Sequence, residues 1–241
     1  MNSSENTMQD YTFDDLWQIK TPWFEPPNHR RGGWSGVVKY SLPVDNTKTD
    51  VFIKRQENHS TKTWAHPFSG IPTFQKEYNN IVKLRAKAIP TLEAIFFGVA
   101  KSRAILVTKE LKGYSSLENI DPTNLTTDER KQLLSVTARL LRKLHHHRFQ
   151  HNSLYPKHLF AKQTSSGWKV RLIDLEKMKR TLFYKQAMKR DLSTLNRHAS
   201  SAWSVADKVY FLQRYFDEFT LSTKSKHIIY KLATSKKAKK H

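Results

Sequence analysis

The apolar residues of this 241-residue chain change their period near residue 112, and that change limits the possible folds more than any other feature. Up to it, apolar side chains come in short alternating runs broken by glycine, proline and asparagine, as in strands joined by tight turns. Beyond it they recur every three to four residues over long segments, as in helices with one buried face. "GGWSGVVKYSL" (32–42) and "VFIKR" (51–55) flank the polar turn "PVDNTKTD" and are expected to form a hairpin. "FQKEYNNIVKLRAKA" (74–88) carries Phe74, Tyr78, Ile81 and Val82 at helical spacing, and "TLEAIFFGVA" and "RAILVTKEL" predict two further strands. "TTDERKQLLSVTARLLRKLHHH" (126–147) predicts a long helix, capped by Thr126 or Thr127, with acids in the first turn where the helix dipole favours them. "HLFAKQ" and "WKVRLIDLE" read as a short hairpin turning at 165–167, and "RDLSTLNRHA" and "SVADKVYFLQRYFDEFT" as later helices. The expected class is α+β: a polar segment 1–25, a β-rich lobe 26–112, a helical lobe 113–230 and a basic tail 231–241.

Against 21 acids stand 42 lysines and arginines, leaving a formal charge of +21. A field of that size attracts phosphate-rich partners: nucleotides, nucleic acid or an anionic membrane surface. The excess is uneven, since residues 1–30 hold five acids and two bases, whereas 177–241 hold 16 bases and four acids. No helix-turn-helix, zinc-finger or RNA-binding aromatic signature accompanies it, so nucleic acid is not the expected partner. The lack of cysteine excludes disulfides and thiolate metal sites, and fits a reducing cytosol. The polar start "MNSSENTMQDYTFDDLW" is the opposite of a secretory signal, and no apolar run nears the roughly 18 residues of a membrane-spanning helix. A cytoplasmic location is expected, with at most a peripheral seat on a membrane surface.

Several positions carry chemistry. Lys54 ends the apolar strand "VFIKR", where it either reaches water or pairs with an anion. Glu77, 23 residues on, offers that partner, and such a pair can hold a lysine against nucleotide phosphates. In "GGWSG", Gly33 and Gly36 would let backbone N–H groups approach phosphate oxygens, although a plain hairpin turn uses glycine too. Arg31 stands where a further glycine would complete a phosphate-covering loop. Asp174 leaves an apolar strand in "RLIDLE", which suits Mg²⁺, an ion that takes one or two carboxylates plus phosphate oxygens. Glu176 could face the same way, and an ordinary strand-end acid would read alike. The histidines at 145–147 do not suggest a metal site, because neighbours on a helix point about 100° apart.

Glycine turn, strand lysine, helix glutamate, histidine loop and strand-end aspartate follow one another in the order seen in protein kinases. "LHHHRFQHNSL" resembles the helix end before a kinase catalytic loop, with Leu144, His145 and His151 in register. In "QHNSLYPKHLF" (150–160), His151 opens that loop, Ser153 holds the usual aspartate position and His158 the metal-binding asparagine position. These stretches, with "EPPNHRRGGWSGV", "KEYNNIVKL", "LIDLEK" and "RDLSTLNR", run over about residues 25–200. In them the sequence resembles the bacterial lipopolysaccharide kinase family and, within it, the branch named InaA. The resemblance implies a two-lobed protein-kinase-like fold, with ATP and Mg²⁺ as cofactors. It also implies phosphorylation of heptose or Kdo sugars of the lipopolysaccharide inner core, at the cytoplasmic face of the inner membrane. By the same resemblance Gly33 and Gly36 cover the nucleotide, Lys54 binds its phosphates and Glu77 holds Lys54. Asp174 binds Mg²⁺, His158 stands as second metal ligand, and His151 and Ser153 belong to the catalytic loop.

Ser153 departs from the family pattern, in which sugar kinases carry aspartate there. General-base help is worth roughly 10²–10⁴ in rate, yet positioning and charge neutralisation carry much of phosphoryl transfer. Two readings stay open: a working phosphotransferase, and a nucleotide-binding pseudokinase with a regulatory role in the envelope. Asp191 follows Asp174 by only 17 residues and no Ala-Pro-Glu motif follows, leaving little room to dock a peptide. A protein acceptor is thus disfavoured, and the acceptor that the resemblance implies is lipopolysaccharide core or a related membrane glycolipid. "EKMKRTLFYKQAMKR" (176–190) sets six bases around Leu182, Phe183, Tyr184 and Met188. It suits an anionic membrane surface or a phosphorylated saccharide, or else a solvated helix face.

Overall fold

The computed structural model describes residues 11–30, 32–44, 47–62, 68 and 70–234. Arg31, residues 1–10 and the tail from 235 onward lie outside the described residues. The chain divides into two compact units, residues 1–83 with 92–112, and residues 84–91 with 113–241.

The first unit opens with α1 (Phe13–Gln18), started by a capping box in which Thr12 and Asp15 each accept from the other's backbone N–H. Next come β1 (Trp23–Arg30), β2 (Gly33–Val44) and β3 (Thr47–Glu57). A two-residue ladder joins β4 (Ser60–Thr61) to β5 (Ile71–Pro72), ahead of α2 (Thr73–Arg85). β6 (Ala94–Ala100) and β7 (Arg103–Lys109) complete an antiparallel five-stranded sheet in the order β1-β2-β3-β7-β6. The register sets Val38 opposite Ile53 and Ile53 opposite Val107, so three fully buried aliphatic side chains form one row across the sheet. Leu16 of α1 packs into the same cluster, which gives the acidic stretch "FDDLW" a place in the core despite its polarity. Arg55 ties down the end of α1: its guanidinium donates to Trp17 O at 2.6 Å and Ile19 O at 2.9 Å and lies over the Trp23 ring. Burial holds its pKa below the ordinary guanidinium value.

The second unit begins with β8 (Ser115–Ser116) and a short 3-10 turn, Pro122–Asn124. α3 (Thr127–His146) follows, capped by Thr126 and Glu129 as a reciprocal pair. Its buried face is Leu133, Thr137, Leu140, Leu141 and Leu144; Leu134 and Val136, expected on that face, are half-buried beside it. β9 (Phe149–Gln150) leads through a loop and the 3-10 turn Pro156–His158 into the hairpin β10 (Leu159–Thr164) and β11 (Gly167–Leu172). β8 pairs with the other edge of β10, giving the order β11-β10-β8. β12 (Lys179–Arg180) returns to pair with β9, and α4 (Tyr184–His198), α5 (Val205–Phe216) and α6 (Thr223–Thr234) finish the unit. α5 packs on α3. No helix among the described residues is long and apolar enough to cross a membrane.

Candidate active site

The candidate site residues fall into two groups, one in each unit. In the first unit, strand alternation puts Ile53 and Arg55 on the α1 side of β3 and turns Lys54 to the other face, toward α2. Glu77 stands one turn into α2, and Lys54 Nζ meets both of its carboxylate oxygens, at 2.7 and 2.9 Å. The Glu77 side chain is 2% exposed and that of Lys54 19%, so the ammonium is what makes burial of the carboxylate tolerable. Phe74, one turn earlier, sets its ring 5.8 Å from the same nitrogen. Gln56 of β3 fixes the start of α2 by accepting from Phe74 N–H at 2.8 Å and donating to His59 O.

Gly33 and Gly36 lie inside β2 rather than in the turn. A Cβ on Gly33 would come within 2.2 Å of Glu57 O, and one on Gly36 within 2.7 Å of the Trp23 ring. Close approach of β1 and β3 therefore accounts for both glycines. Gly32 is the turn residue: its φ of +77° is left-handed, and a Cβ there would meet nothing within 4 Å.

In the second unit, α3 hands over to β9 through Arg148, and the loop His151–Tyr155 follows. Asp191 of α4, fully buried, holds that loop from behind: Oδ2 accepts from His151 N–H at 2.7 Å and Oδ1 from Asn152 N–H at 2.9 Å. Asp191 Oδ2 also lies 3.2 Å from His145 Nε2, and His145 Nδ1 lies 2.7 Å from the Tyr215 hydroxyl of α5. One proton order satisfies every member: Tyr215 donates to Nδ1, and Nε2–H donates to Asp191. Burial pushes the Tyr215 hydroxyl pKa well up, which keeps it a donor.

His151 itself is buried, and its Nε2–H donates to Ile173 O at 2.9 Å. Burial, opposed by the nearby Asp191 carboxylate, lowers its pKa and leaves the imidazole neutral. Its ring stacks on His158 at 5.9 Å between centroids. His158 donates from Nδ1 to Ser153 O at 2.7 Å and turns Nε2 to Asp174 Oδ2 at 3.2 Å. Asp174 sits just past β11 with φ 56°, a left-handed backbone uncommon for a residue with a Cβ and concentrated at functional sites. Thus His151, Ser153, His158 and Asp174 converge, with Ser153 contributing its carbonyl and a nearly buried hydroxyl where no carboxylate stands.

The donor set at Asp174 bears on a metal ion. With Nδ1 committed as a donor, His158 Nε2 either carries a proton and pairs with Asp174 or presents a lone pair to it. Two acceptors so close repel each other unless a cation lies against both. A third-exposed carboxylate fits Mg²⁺, whereas imidazole suits softer ions. Among the described residues no group of three or more His, Asp or Glu gathers to hold an ion. The residues therefore fit a divalent cation held chiefly by Asp174, its shell filled by water and phosphate. Glu176, in the same strand-end stretch, is half-buried with one oxygen 3.9 Å from Lys177 Nζ.

Sequence reasoning passed over Asp191, His145 and Tyr215 as site residues. Asp191 served only as a spacing mark; the sequence shows it as the one acid on a base-rich helix, and nothing in that pattern announces its burial.

Known proteins resemble this chain in sequence and in fold. A sequence profile of the "Lipopolysaccharide kinase (Kdo/WaaP) family" matches residues 14–215. Protein InaA of Escherichia coli (strain K12) is 28% identical over 196 residues, 77% of this chain and 87% of InaA. The solved structure "WaaP in complex with acyl carrier protein" matches with TM-score 0.63 at 19% identity, over 92% of this chain and 90% of that one. An aminoglycoside-3'-phosphotransferase of type VIII matches with TM-score 0.54 at 14% identity, over 88% and 92% of the two chains. The fold is protein-kinase-like, a β-sheet region followed by a helical one.

Proposed function

The chain belongs to the lipopolysaccharide kinase (Kdo/WaaP) family, and from that premise we propose that it transfers the γ-phosphoryl group of ATP to an inner-core sugar of lipopolysaccharide or a related membrane glycolipid. The reaction would take place at the cytoplasmic face of the inner membrane. The observation that carries this reading is Asp174, a strand-end carboxylate in a left-handed backbone, 3.2 Å from His158 Nε2 and beside a loop that Asp191 holds by two backbone amides. In this role Asp174 holds Mg²⁺ and His158 orients the carboxylate. Lys54, kept extended by Glu77, binds nucleotide phosphates. Mg²⁺, when bound with ATP, neutralises charge on the transferred group. Ser153 offers no general base, so rate would come from positioning and charge, below a carboxylate-bearing loop by about 10²–10⁴. Transfer of γ-labelled phosphate into lipopolysaccharide and envelope glycolipid extracts tests it. Label with wild type that vanishes with Asp174→Ala supports a working kinase.

Ser153 also favours a second reading, a nucleotide-binding pseudokinase with a regulatory role in the envelope. Label that arises only with Ser153→Asp, or nucleotide binding with no label from any variant, would support it instead.

An acyl carrier protein is a proposed partner, as for the structurally similar WaaP. The second unit carries a half-open apolar pocket of about 310 Å³ between Leu133, Leu192, Leu195, Trp203, Phe211 and Leu212, room for part of a hydrocarbon chain. Titration with acyl-loaded and unloaded carrier protein checks this; tighter binding of the loaded form is expected.

A further inference from the structure

Residues 177–190 carry six cations and no acid. Lys177, Lys179, Arg180, Lys185, Lys189 and Arg190 are all exposed. In the middle of them Leu182 is 78% exposed and Phe183 70%, with Tyr184 also exposed. A lone exposed leucine is ordinary; two adjacent large apolar side chains ringed by cations are not. Nor is the backbone beneath them slack. β12 pairs Lys179 with Gln150 and Arg180 with Phe149. Thr181 N–H donates to Arg148 O at 2.8 Å, the Thr181 hydroxyl lies 3.0 Å from Phe183 O, and Gln186 N–H donates to Phe183 O at 3.1 Å. The two side chains are thus presented from a fixed turn at the start of α4. A neighbouring element strengthens the positive field, since Arg148 is exposed; the His146 ring, 5.6 Å from that of Tyr184, is kept neutral by partial burial and nearby cations and adds only packing. Glu176 lies against Lys177 at the margin, and Asp191 is buried and bonded to the loop amides.

We propose that this turn docks on an anionic lipid bilayer, with Leu182 and Phe183 inserted below the headgroups and the cations lying on them. Of polyanions, only a bilayer uses both features, because nucleic acid or a free phosphosaccharide would engage the cations and leave the apolar tip in water. The inference rests on the glycolipid-kinase reading for its purpose: the tip extends from the Arg180–Phe149 end of the β9–β12 ladder, whose other end, Lys179–Gln150, adjoins His151, so docking would tether the loop expected to receive the acceptor to the bilayer.

Co-sedimentation of the full chain with phosphatidylcholine vesicles, with and without phosphatidylglycerol, tests the proposal. Wild type binds the phosphatidylglycerol vesicles, and Leu182→Asp with Phe183→Asp weakens that binding by about tenfold or more. Lys185→Glu with Lys189→Glu costs about fivefold per cation. No binding to anionic vesicles by wild type, or undiminished binding by the Leu182/Phe183 variant, overturns it. The latter would mean a purely electrostatic patch, open to any polyanion. ATP binding, measured on the same variants, separates the two claims. Tip-dependent vesicle binding without nucleotide binding would sink the kinase reading and leave this inference standing; nucleotide binding with tip-independent vesicle binding would do the reverse.

Discussion

Two side-chain pairs among the candidate site residues are built to opposite specifications. Lys54 and Glu77 form a closed pair: two short contacts, a carboxylate almost without exposure and an aromatic ring alongside. Asp174 and His158 form an open one: a single longer contact, a carboxylate one-third exposed and an imidazole whose other nitrogen is already spent on Ser153 O. A closed pair is complete without a ligand and holds a charge in place. An open pair has coordinating capacity left over. Substitutions in the first should therefore be felt in stability as well as in nucleotide binding, and in the second in chemistry alone.

The largest expected effect is at Ser153. Ser153→Asp returns a carboxylate to the loop and should raise phosphoryl transfer by about 10²–10⁴, read as initial rate with labelled ATP at unchanged protein concentration. Asp174→Ala comes next, with transfer lowered by roughly 10²–10³ while the urea midpoint stays close to wild type. A midpoint that fell sharply would place Asp174 among structural residues and break the contrast.

Lys54→Met strands the buried Glu77 carboxylate and should cost about 3–5 kcal/mol of folding stability. The double variant Lys54→Met with Glu77→Leu should recover most of that loss in the same denaturation experiment, since no charge is then left buried. Failure to recover would mean the pair is less enclosed than described.

The smallest effect is on pH. His151 has a folded pKa below the ordinary 6.5, with burial as the main cause. The unfolded chain then binds a proton that the folded chain refuses. Its contribution to stability is full above 6.5 and is lost as pH falls from there to the depressed folded value, at up to about 1.4 kcal/mol per pH unit. Urea midpoints taken between pH 5 and 8 should show this slope in wild type and lose it in His151→Gln.

What the chain disclosed beforehand was whatever local pattern determines. Val38, Ile53 and Val107 sit in runs whose alternation names their strands, and Lys54 and Asp174 stand at ends of apolar runs where a charge is conspicuous. Asp191 was opaque because its partners are backbone amides 39 and 40 residues earlier, and a helix aspartate bears no mark of what it will accept. Leu16 was hidden because α1 is only six residues long, and Phe13, Leu16 and Trp17 among acids make too short a run to announce a buried face. Gly33 and Gly36 looked like a phosphate loop because the need for no Cβ reads the same whether a ligand or a neighbouring strand makes it. Two-residue ladders such as β9–β12 leave no periodicity at all.

Affinity for ATP, titrated calorimetrically with and without Mg²⁺, tests the open pair most directly. Wild type should gain about tenfold or more from the ion, and Asp174→Ala should keep the metal-free affinity and lose the gain. An equal gain in both proteins would mean that Asp174 does not hold the cation.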